Sequence, residues 1–585
     1  MKSRTVTETT FSAHDGANLF YRHWPALTDN PRGAIVLLHR GHEHSGRIAH
    51  VVSELNLPEY SFFAWDARGH GLSAGERGFS PSAATSVRDV KSFVDHIVSA
   101  HSVQASNIVV IGQSIGAVLA TAWVHDYAPD IRALVLAAPA FSVNLRIPLA
   151  RSALRLKQAV GGNFFVKSYV TAKKLTRDPA RIATYNDDPL ISRPIASNML
   201  LDLHDLSARL VEDAAAITTP TQVLIAGKDR VVDPAPQHRF YERLGTPVKE
   251  RHVFPGLLHD VLGEKDRQQV IKSVRAFVLA NFDRPAAAPS LLDADKHGAT
   301  RREVDRLRTP LPAYSPKALY WAGLRLALRL GGWFSKGLRI GRRYGFNSGT
   351  MLDYVYQNRP KGLTPLGRAL DRAYLNAIGW KGIRQRKPHL EELLRSAIAR
   401  VRDAGQPLHI LDLAAGRGRY VLDVVEAVDP PPQSVLLRDI SDVNVEGGTE
   451  LIAYRGLDDT VTFAKGDAFD TDDIAAIDPR PTVAIVSGLY ELVPDNAAVR
   501  DSLEGLGQAV RDGGYLIYTG QPWHPQLEMI ARTLTDHKDG EPWIMRRRSQ
   551  VELDQLVAAA GFKKIDQRID EWGIFTVSLA QKIAS

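Results

Sequence analysis

Ser114, Asp229 and His259 are the residue types that acyl transfer requires: a hydroxyl nucleophile, a carboxylate and an imidazole base. Ser114 stands in the run Gly112-Gln113-Ser114-Ile115-Gly116, directly after the apolar stretch IVVI. Glycines on both sides suit a tight strand-to-helix turn that lifts the central hydroxyl over the end of a sheet. That hydroxyl is a weak nucleophile until a neighbouring base takes its proton. Asp229 follows the apolar run TQVLIAG and His259 follows HVFPG, which gives the order serine, acid, histidine on loops after successive strands. Asp233, later in the same loop, is a rival for the acid. The oxyanion that develops needs two backbone N–H donors. One is Ile115, and the other belongs to the loop that begins at His39. His39, His42 and His44 match no zinc spacing with a nearby carboxylate, so loop packing is expected of them and no metal.

A second group of residues lies in LHILDLAAGRGRYVLDVV (408–425), which reads as strand, glycine-containing loop and helix. Gly416 and Gly418 let the backbone approach a ligand closely, and Asp412 precedes them by four residues. The next strand, SVLLRDI, ends in Asp439, placed for ribose hydroxyls as in dinucleotide folds. Glu491 and His524 follow the fourth and fifth strands of this series. They are candidate proton acceptors, with loop packing as the alternative. MRRRS (545–549) suits an anionic group such as phosphate, or else is a solvated charge run.

These residues need two sheets to hold them. Over 31–283 short apolar runs alternate with helical stretches, which predicts a mostly parallel sheet covered on both faces. A second alternating series starts near 408 and shares no motif with the first, so the two are unlike domains and not a repeat. At 585 residues the chain exceeds one ordinary domain. The helical interruption at about 140–216 predicts a lid over Ser114, and 284–316, rich in proline, alanine and charge, predicts a linker. Absence of cysteine excludes disulfides and thiolate chemistry. No apolar leader and no run of about 18 uncharged apolar residues occurs, so a cytoplasmic enzyme is the default.

The loop HRGHEHSGR, the segment FFAWDARGHGLSAGERG (62–78), GQSIG, GKDRVVD and PGLLHD together resemble the monoacylglycerol lipase and lysophospholipase branch of the α/β-hydrolases, which includes serine aminopeptidase-type enzymes. The resemblance covers about 10–282. It implies Ser114 as nucleophile, His259 as base, Asp229 as orienting acid, and Gly41 with Ile115 as oxyanion donors. Arg40 and His42 depart from it, since glycine is usual there.

The 408–425 loop, the motif GDAF after the third strand and a closing pair of strands suited to a hairpin resemble class I S-adenosylmethionine-dependent methyltransferases over about 346–582. The resemblance implies S-adenosyl-L-methionine as cofactor. It puts Asp412 near the charged amino end, Ala414 in place of a usual glycine beside Gly416 and Gly418, Asp439 on the ribose, and Asp467 with Ala468 against the adenine. The fold class implied is α/β in two domains: an N-terminal α/β-hydrolase fold over 1–283 and a C-terminal Rossmann-like class I methyltransferase fold over 389–585.

Between them, 317–388 is a basic helical segment. From Arg306 to Leu352 there are nine Lys or Arg and no Asp or Glu. Helical spacing over 317–345 sets Arg325, Arg329, Lys336, Arg339 and Arg343 on one face, with Leu, Trp and Phe elsewhere, and the paired Gly331 and Gly332 are where the stretch can break into two helices. Peripheral contact with the inner face of a membrane is one reading, and packing on the chain's own second domain is the other. No RNA-binding signature accompanies the charge, so nucleic acid is not an expected partner. The function expected is hydrolysis of a lipid-like monoacyl ester joined to methylation of a lipid-related acceptor. The alternative is a hydrolase of non-lipid esters, thioesters or peptides beside an S-adenosylmethionine-binding scaffold or sensor.

Overall fold

A computed structural model describes residues 4–142, 150–346, 348–535 and 541–584. They form two compact units, Met1–Pro289 and Ser290–Ser585.

In the first unit, β1 (Thr7–Ser12), β2 (Asn18–Trp24), β3 (Gly33–Leu38), β4 (Tyr60–Trp65), β5 (Ile108–Gln113) and β6 (Ala133–Ala137) precede an insertion. The insertion carries helices Ala150–Gly161, Ala172–Leu175, Pro179–Tyr185 and Ser197–Glu212, with a two-stranded antiparallel ribbon of β7 (Phe165–Lys167) and β8 (Pro194–Ala196). The sheet then resumes with β9 (Thr221–Ala226) and β10 (Lys249–Phe254). Its order is β1-β2-β4-β3-β5-β6-β9-β10, parallel from β4 onward and antiparallel at β1, β2 and β4. Every residue of β3, β5, β6 and β9 is buried, as suits strands covered on both faces. The insertion occupies the place where a lid is expected; part of that range, 143–149, lies outside the described residues.

The second unit holds β11 (His409–Leu413), β12 (Ser434–Asp439), β13 (Val461–Lys465), β14 (Val483–Val486), β15 (Tyr515–Gly520), β16 (Phe562–Ile569) and β17 (Thr576–Lys582). Their order is β13-β12-β11-β14-β15-β17-β16, parallel except that β17 runs against both neighbours. The reversal at the crossing between β11 and β14 opens a crevice at the strand ends, where ligands sit in open α/β sheets.

Composition points to a linker at 284–316, yet Ala294–His297 and Ala299–Arg308 are helices of the second unit. Buried Asp295 accepts from Asn496 N at 3.0 Å, and Val304 and Leu307 are buried. Too few apolar residues carry this packing for periodicity to reveal it. The basic stretch is two helices, Pro316–Gly331 and Lys336–Tyr344, divided at the paired glycines Gly331 and Gly332. Ser335 caps the second helix by accepting from Leu338 N at 3.1 Å and itself donates to buried Asp371. Asp371 further accepts from Gly337 N, Tyr354 Oη and Lys361 N, so one carboxylate pins the helical segment ahead of the sheet.

Candidate functional site

Ser114 sits between β5 and helix Ile115–Tyr127 at φ 54°, ψ −113°, a conformation that side chains rarely adopt. The glycines around it are sterically required: a Cβ at Gly112 would lie 2.7 Å from Ala117 Cα, and one at Gly116 2.5 Å from the His39 carbonyl. His259 Nε2 is 2.8 Å from Ser114 Oγ, and His259 Nδ1 is 2.7 Å from Asp229 Oδ2. The other oxygen, Asp229 Oδ1, accepts from Val231 N and Val232 N at 2.7 and 2.9 Å, which fixes the carboxylate against rotation. Asp233 instead caps the next helix through Ala235 N at 2.9 Å. Gly41 lies against Ile115: a Cβ there would fall 2.7 Å from Ile115 Cδ1. The two proposed oxyanion donors thus sit side by side. A cavity of about 120 Å³ joins Ser114, His259, Gly41 and Ile115 to the insertion residues Leu175 and Leu203.

The loop after β3 shows why Arg40 and His42 are tolerated. Arg40 is buried and donates to Glu43 Oε1 at 2.5 Å, with its charge also facing Asp260. His42 adopts φ 63°, the region glycine would favour, and its Nδ1 lies 2.5 Å from the Ser192 carbonyl. Burial brings the His42 imidazole down to about 4, so it is neutral. His39 bridges Arg40 O and Ala67 N, and His44 caps a short helix while meeting Asp188. All three histidines are packing residues of the loop. Sequence patterns did not single out the charges behind the dyad: Asp260 takes Gln113 Nε2 at 2.7 Å and lies 3.1 Å from Arg181 Nη2.

In the second unit, Ala414, Gly416 and Gly418 take φ 55°, 61° and 68° in the loop after β11. Asp439 Oδ2 accepts from Gly416 N at 2.9 Å, and Oδ1 from Ser441 N at 2.9 Å. Asp412 is buried beneath the loop. Tyr420 Oη donates to its Oδ2 at 2.6 Å, while Oδ1 is buried without a partner. Burial, with Asp439 nearby, pushes the Asp412 carboxyl up to about 8. Asp467 Oδ1 accepts from Phe469 N, and Ala468 is buried beside β11 and β14 in the apolar core. Gly416 faces open space, since a Cβ there would meet nothing within 4 Å.

A larger cavity, about 370 Å³, lies in the same unit. Leu324 and Leu328 of helix Pro316–Gly331 line it together with Trp380, Ile383, Met529 and Phe575. Glu491, His524, Arg386, Gln521, Gln526 and Tyr374 supply its polar groups. Glu491 Oε1 accepts from Thr519 Oγ1 at 2.7 Å and lies 3.5 Å from Arg386 Nη1. His524 Nδ1 accepts from Gln526 N at 3.1 Å, and burial brings its imidazole down to about 4. Arg386 and Gln521 had no signal in the sequence, because nothing in a helix pattern or a post-strand loop marks one side chain as cavity-facing.

Arg546, Arg547 and Arg548 are neither solvated nor open to an anionic substrate. All three are buried. Arg546 pairs with Glu552 at 2.6 Å, Arg547 with Glu303 at 2.6 Å, and Arg548 donates to Tyr490 O at 2.6 Å and Asn496 Oδ1 at 2.8 Å. The run is an internal latch: Glu552 is a near neighbour in sequence, whereas Glu303, Tyr490 and Asn496 come from far along the chain.

Residues 274–582 match the family described as "Putative methyltransferase", and residues 29–266 match "Serine aminopeptidase, S33". "Uncharacterized protein YnbC" of Escherichia coli K12 is 53% identical over 582 residues, 99% of each chain. Monoacylglycerol lipase of Mycolicibacterium smegmatis is 28% identical over 284 residues, 48% of this chain and 100% of its own. Human monoglyceride lipase is 26% identical over 265 residues, 44% of this chain and 85% of its own. With more than half its length inside the first of these matches, the chain belongs to that methyltransferase family and carries an S33-type α/β-hydrolase unit ahead of it.

Proposed function

We propose that the first unit is a serine hydrolase of lipid-like monoacyl esters and that the second is an S-adenosylmethionine-dependent methyltransferase acting on a lipid-related acceptor. The observation that carries the first half is the unbroken chain Ser114 Oγ, His259, Asp229. Ser114 Oγ attacks the ester carbonyl as its proton passes to His259 Nε2. The negative charge on the carbonyl oxygen is met by the N–H groups of Gly41 and Ile115. His259 returns the proton to the leaving alcohol, and a water activated by the same ring then releases the acid and restores Ser114. Asp229 keeps the ring in the tautomer that this requires. Apolar lining from Leu175, Leu200 and Leu203 supports an acyl chain, as does the similarity to proteins named monoacylglycerol lipase. Incubation with a fluorophosphonate and mapping of the adduct tests the nucleophile, with Ser114 the expected site. Esters of rising acyl length test the substrate: flat activity with length favours a short non-lipid ester, thioester or peptide.

For the second unit, the residues fit S-adenosylmethionine. Asp412 Oδ1 is buried without a partner, and once ionised the carboxylate would accept from the cofactor's amino group. Asp439 at the end of β12 would hold the ribose, Asp467 and Ala468 would flank the adenine, and the left-handed loop at Ala414, Gly416 and Gly418 would let the backbone approach the rest. Bound there, the cofactor supplies an electrophilic methyl group. Glu491 is the candidate proton acceptor. Transfer of labelled methyl into lipid extracts tests this reading, and binding without transfer favours a sensor or scaffold.

Among the described residues no helix is long and apolar enough to cross a membrane. Peripheral contact is supported by helix Pro316–Gly331, on which Leu319, Leu326 and Leu330 form an exposed stripe near exposed Trp333. Arg325 and Arg329 flank the stripe, in a segment without acidic residues. Apolar insertion beside cations matches an anionic bilayer surface of a cell's inner leaflet.

A further inference from the structure

The 370 Å³ cavity of the second unit has a size ordinary for small-molecule sites, and most of its wall is leucine, isoleucine, methionine, tryptophan and phenylalanine. Its polar lining is unusual in being incompletely satisfied. Three buried atoms there have no hydrogen-bond partner: Glu491 Oε2, Gln521 Nε2 and Arg386 Nε. Buried polar atoms are seldom left so, because each costs the full desolvation of the group. The three come from three elements: the turn after β14, the loop after β15 and the helix Ile378–Asp403. Thr519 holds the first two loops in register, donating to Glu491 Oε1 at 2.7 Å and accepting from Gly488 N at 2.8 Å. His524 adds a donor of fixed identity. Its Nδ1 accepts the Gln526 N–H, so the ring proton is on Nε2.

What can satisfy this set is restricted by charge. Arg386 and Glu491 lie 3.5 Å apart and neutralise one another. A carboxylate ligand would offer nothing to the orphan oxygen of Glu491 and would set a second negative charge near it, where low dielectric magnifies repulsion. An ammonium would face Arg386. A hydroxyl does both jobs at once: its O–H is donated to Glu491, and its lone pairs receive Gln521 or His524.

We propose that this cavity binds a neutral amphiphile, an apolar body ending in a single hydroxyl, with the hydroxyl held by Glu491 and Gln521 and the body between Leu324, Leu328, Trp380, Ile383 and Phe575. This deepens the methyltransferase reading, on which it rests for the role of the site as acceptor pocket and not for the binding itself. Leu324 and Leu328 face the cavity while Leu319, Leu326 and Leu330 of the same helix face outward, so one helix contacts both the bound body and the surroundings.

The test is calorimetric titration of the full chain carrying Ser114→Ala, with no methyl donor present, using 1-decanol and decanoate as probes. Expected is a saturable decanol site that Leu324→Trp removes and that takes decanol at least tenfold tighter than decanoate, any binding that Leu324→Trp leaves belonging to the acyl pocket at Ser114. Leu324→Trp, which fills the cavity, and Gln521→Leu each weaken decanol at least tenfold, whereas Leu319→Ser on the exposed stripe leaves it unchanged. Circular dichroism melting checks that each variant is folded, and Ile383→Trp replaces Leu324→Trp if that one is not. Equal or tighter binding of decanoate in the part of the titration that cavity filling removes overturns the proposal, as does a decanol isotherm that a folded cavity-filled variant leaves unchanged. Because no donor is present, failure of methyl transfer counts against the catalytic reading alone and cannot mimic failure of binding.

Discussion

Gln113 Nε2 donates to Asp260 Oδ1 over 2.7 Å, so the residue before the nucleophile and the residue after the base are tied by a hydrogen bond of their own. Burial pushes the Asp260 carboxyl up, but Arg181 and Arg40 outweigh it and hold the group below the usual carboxylate range. A depressed carboxyl stabilises the fold above its unfolded pKa, and that contribution erodes only below about pH 4. Asp260→Asn keeps the shape while leaving buried Arg40 and partly buried Arg181 short of counter-charge. Stability at neutral pH falls by about 3 kcal/mol, and the acid limb of the melting curve flattens. Thermal melts of both proteins between pH 3 and 8 check this, with parallel curves counting against it.

Ser114→Ala abolishes fluorophosphonate labelling and ester turnover. Asp229→Asn lowers kcat by about 10³-fold or more with little change in KM, because the geometry survives while the ring tautomer does not. Asp233→Asn has no such effect, since that carboxylate only caps a helix. Steady-state kinetics on a monoacyl ester separate the three.

Asp412, pushed up to about 8, is protonated at neutral pH. A carboxyl raised in the fold binds its proton more tightly there than in the unfolded chain, so stability falls as pH rises from about 4 to 8. Each unit in that window costs up to about 1.4 kcal/mol. Asp412→Asn removes this slope. The affinity of S-adenosylmethionine, whose amino group favours the ionised carboxylate, rises with pH toward 8 in the native chain and not in the variant. Calorimetry in buffers of differing ionisation enthalpy also reads the released proton.

The membrane reading predicts that the protein sediments with anionic vesicles through helix Pro316–Gly331, with a bound fraction that drops with added salt. Alanine at Arg325, Arg329 and Arg339, or serine at Leu319, Leu326 and Leu330, releases it. Retention by both triple variants would sink the membrane reading.

Arg548 stays buried against Tyr490 O and Asn496, with burial and Arg546 bringing its guanidinium down to about 10. Arg548→Ala therefore lowers the melting temperature by several degrees, and anionic ligands do not rescue it. Rescue by phosphate would restore the substrate-binding alternative.

The triad and the loop after β11 were legible because their chemistry depends on short local patterns: glycines beside Ser114, glycines after Asp412, single acids and bases at strand ends. The buried parallel strands followed from alternation, since each apolar run was long enough to mark one, but their order in the sheets did not. What escaped was set by contacts distant in sequence. Arg548 looks like a surface charge until Tyr490 and Asn496 fold onto it, and Asp371 looks unremarkable until Ser335, Gly337 and Tyr354 converge on it. The same holds for Arg386, one of several arginines on its helix, whose partner Glu491 is 105 residues away.

The insertion leaves the hydrolase sheet at β6 and rejoins it at β9, and those two strands are paired neighbours. It is a closed excursion, a cassette that begins and ends at one place in the scaffold. Exchanging it whole would replace the wall that Leu175 and Leu203 give the cavity at Ser114, while the turn at Ser114, locked by Gly112 and Gly116, tolerates almost no variation. Adaptability and immobility are thereby assigned to separate stretches of one chain.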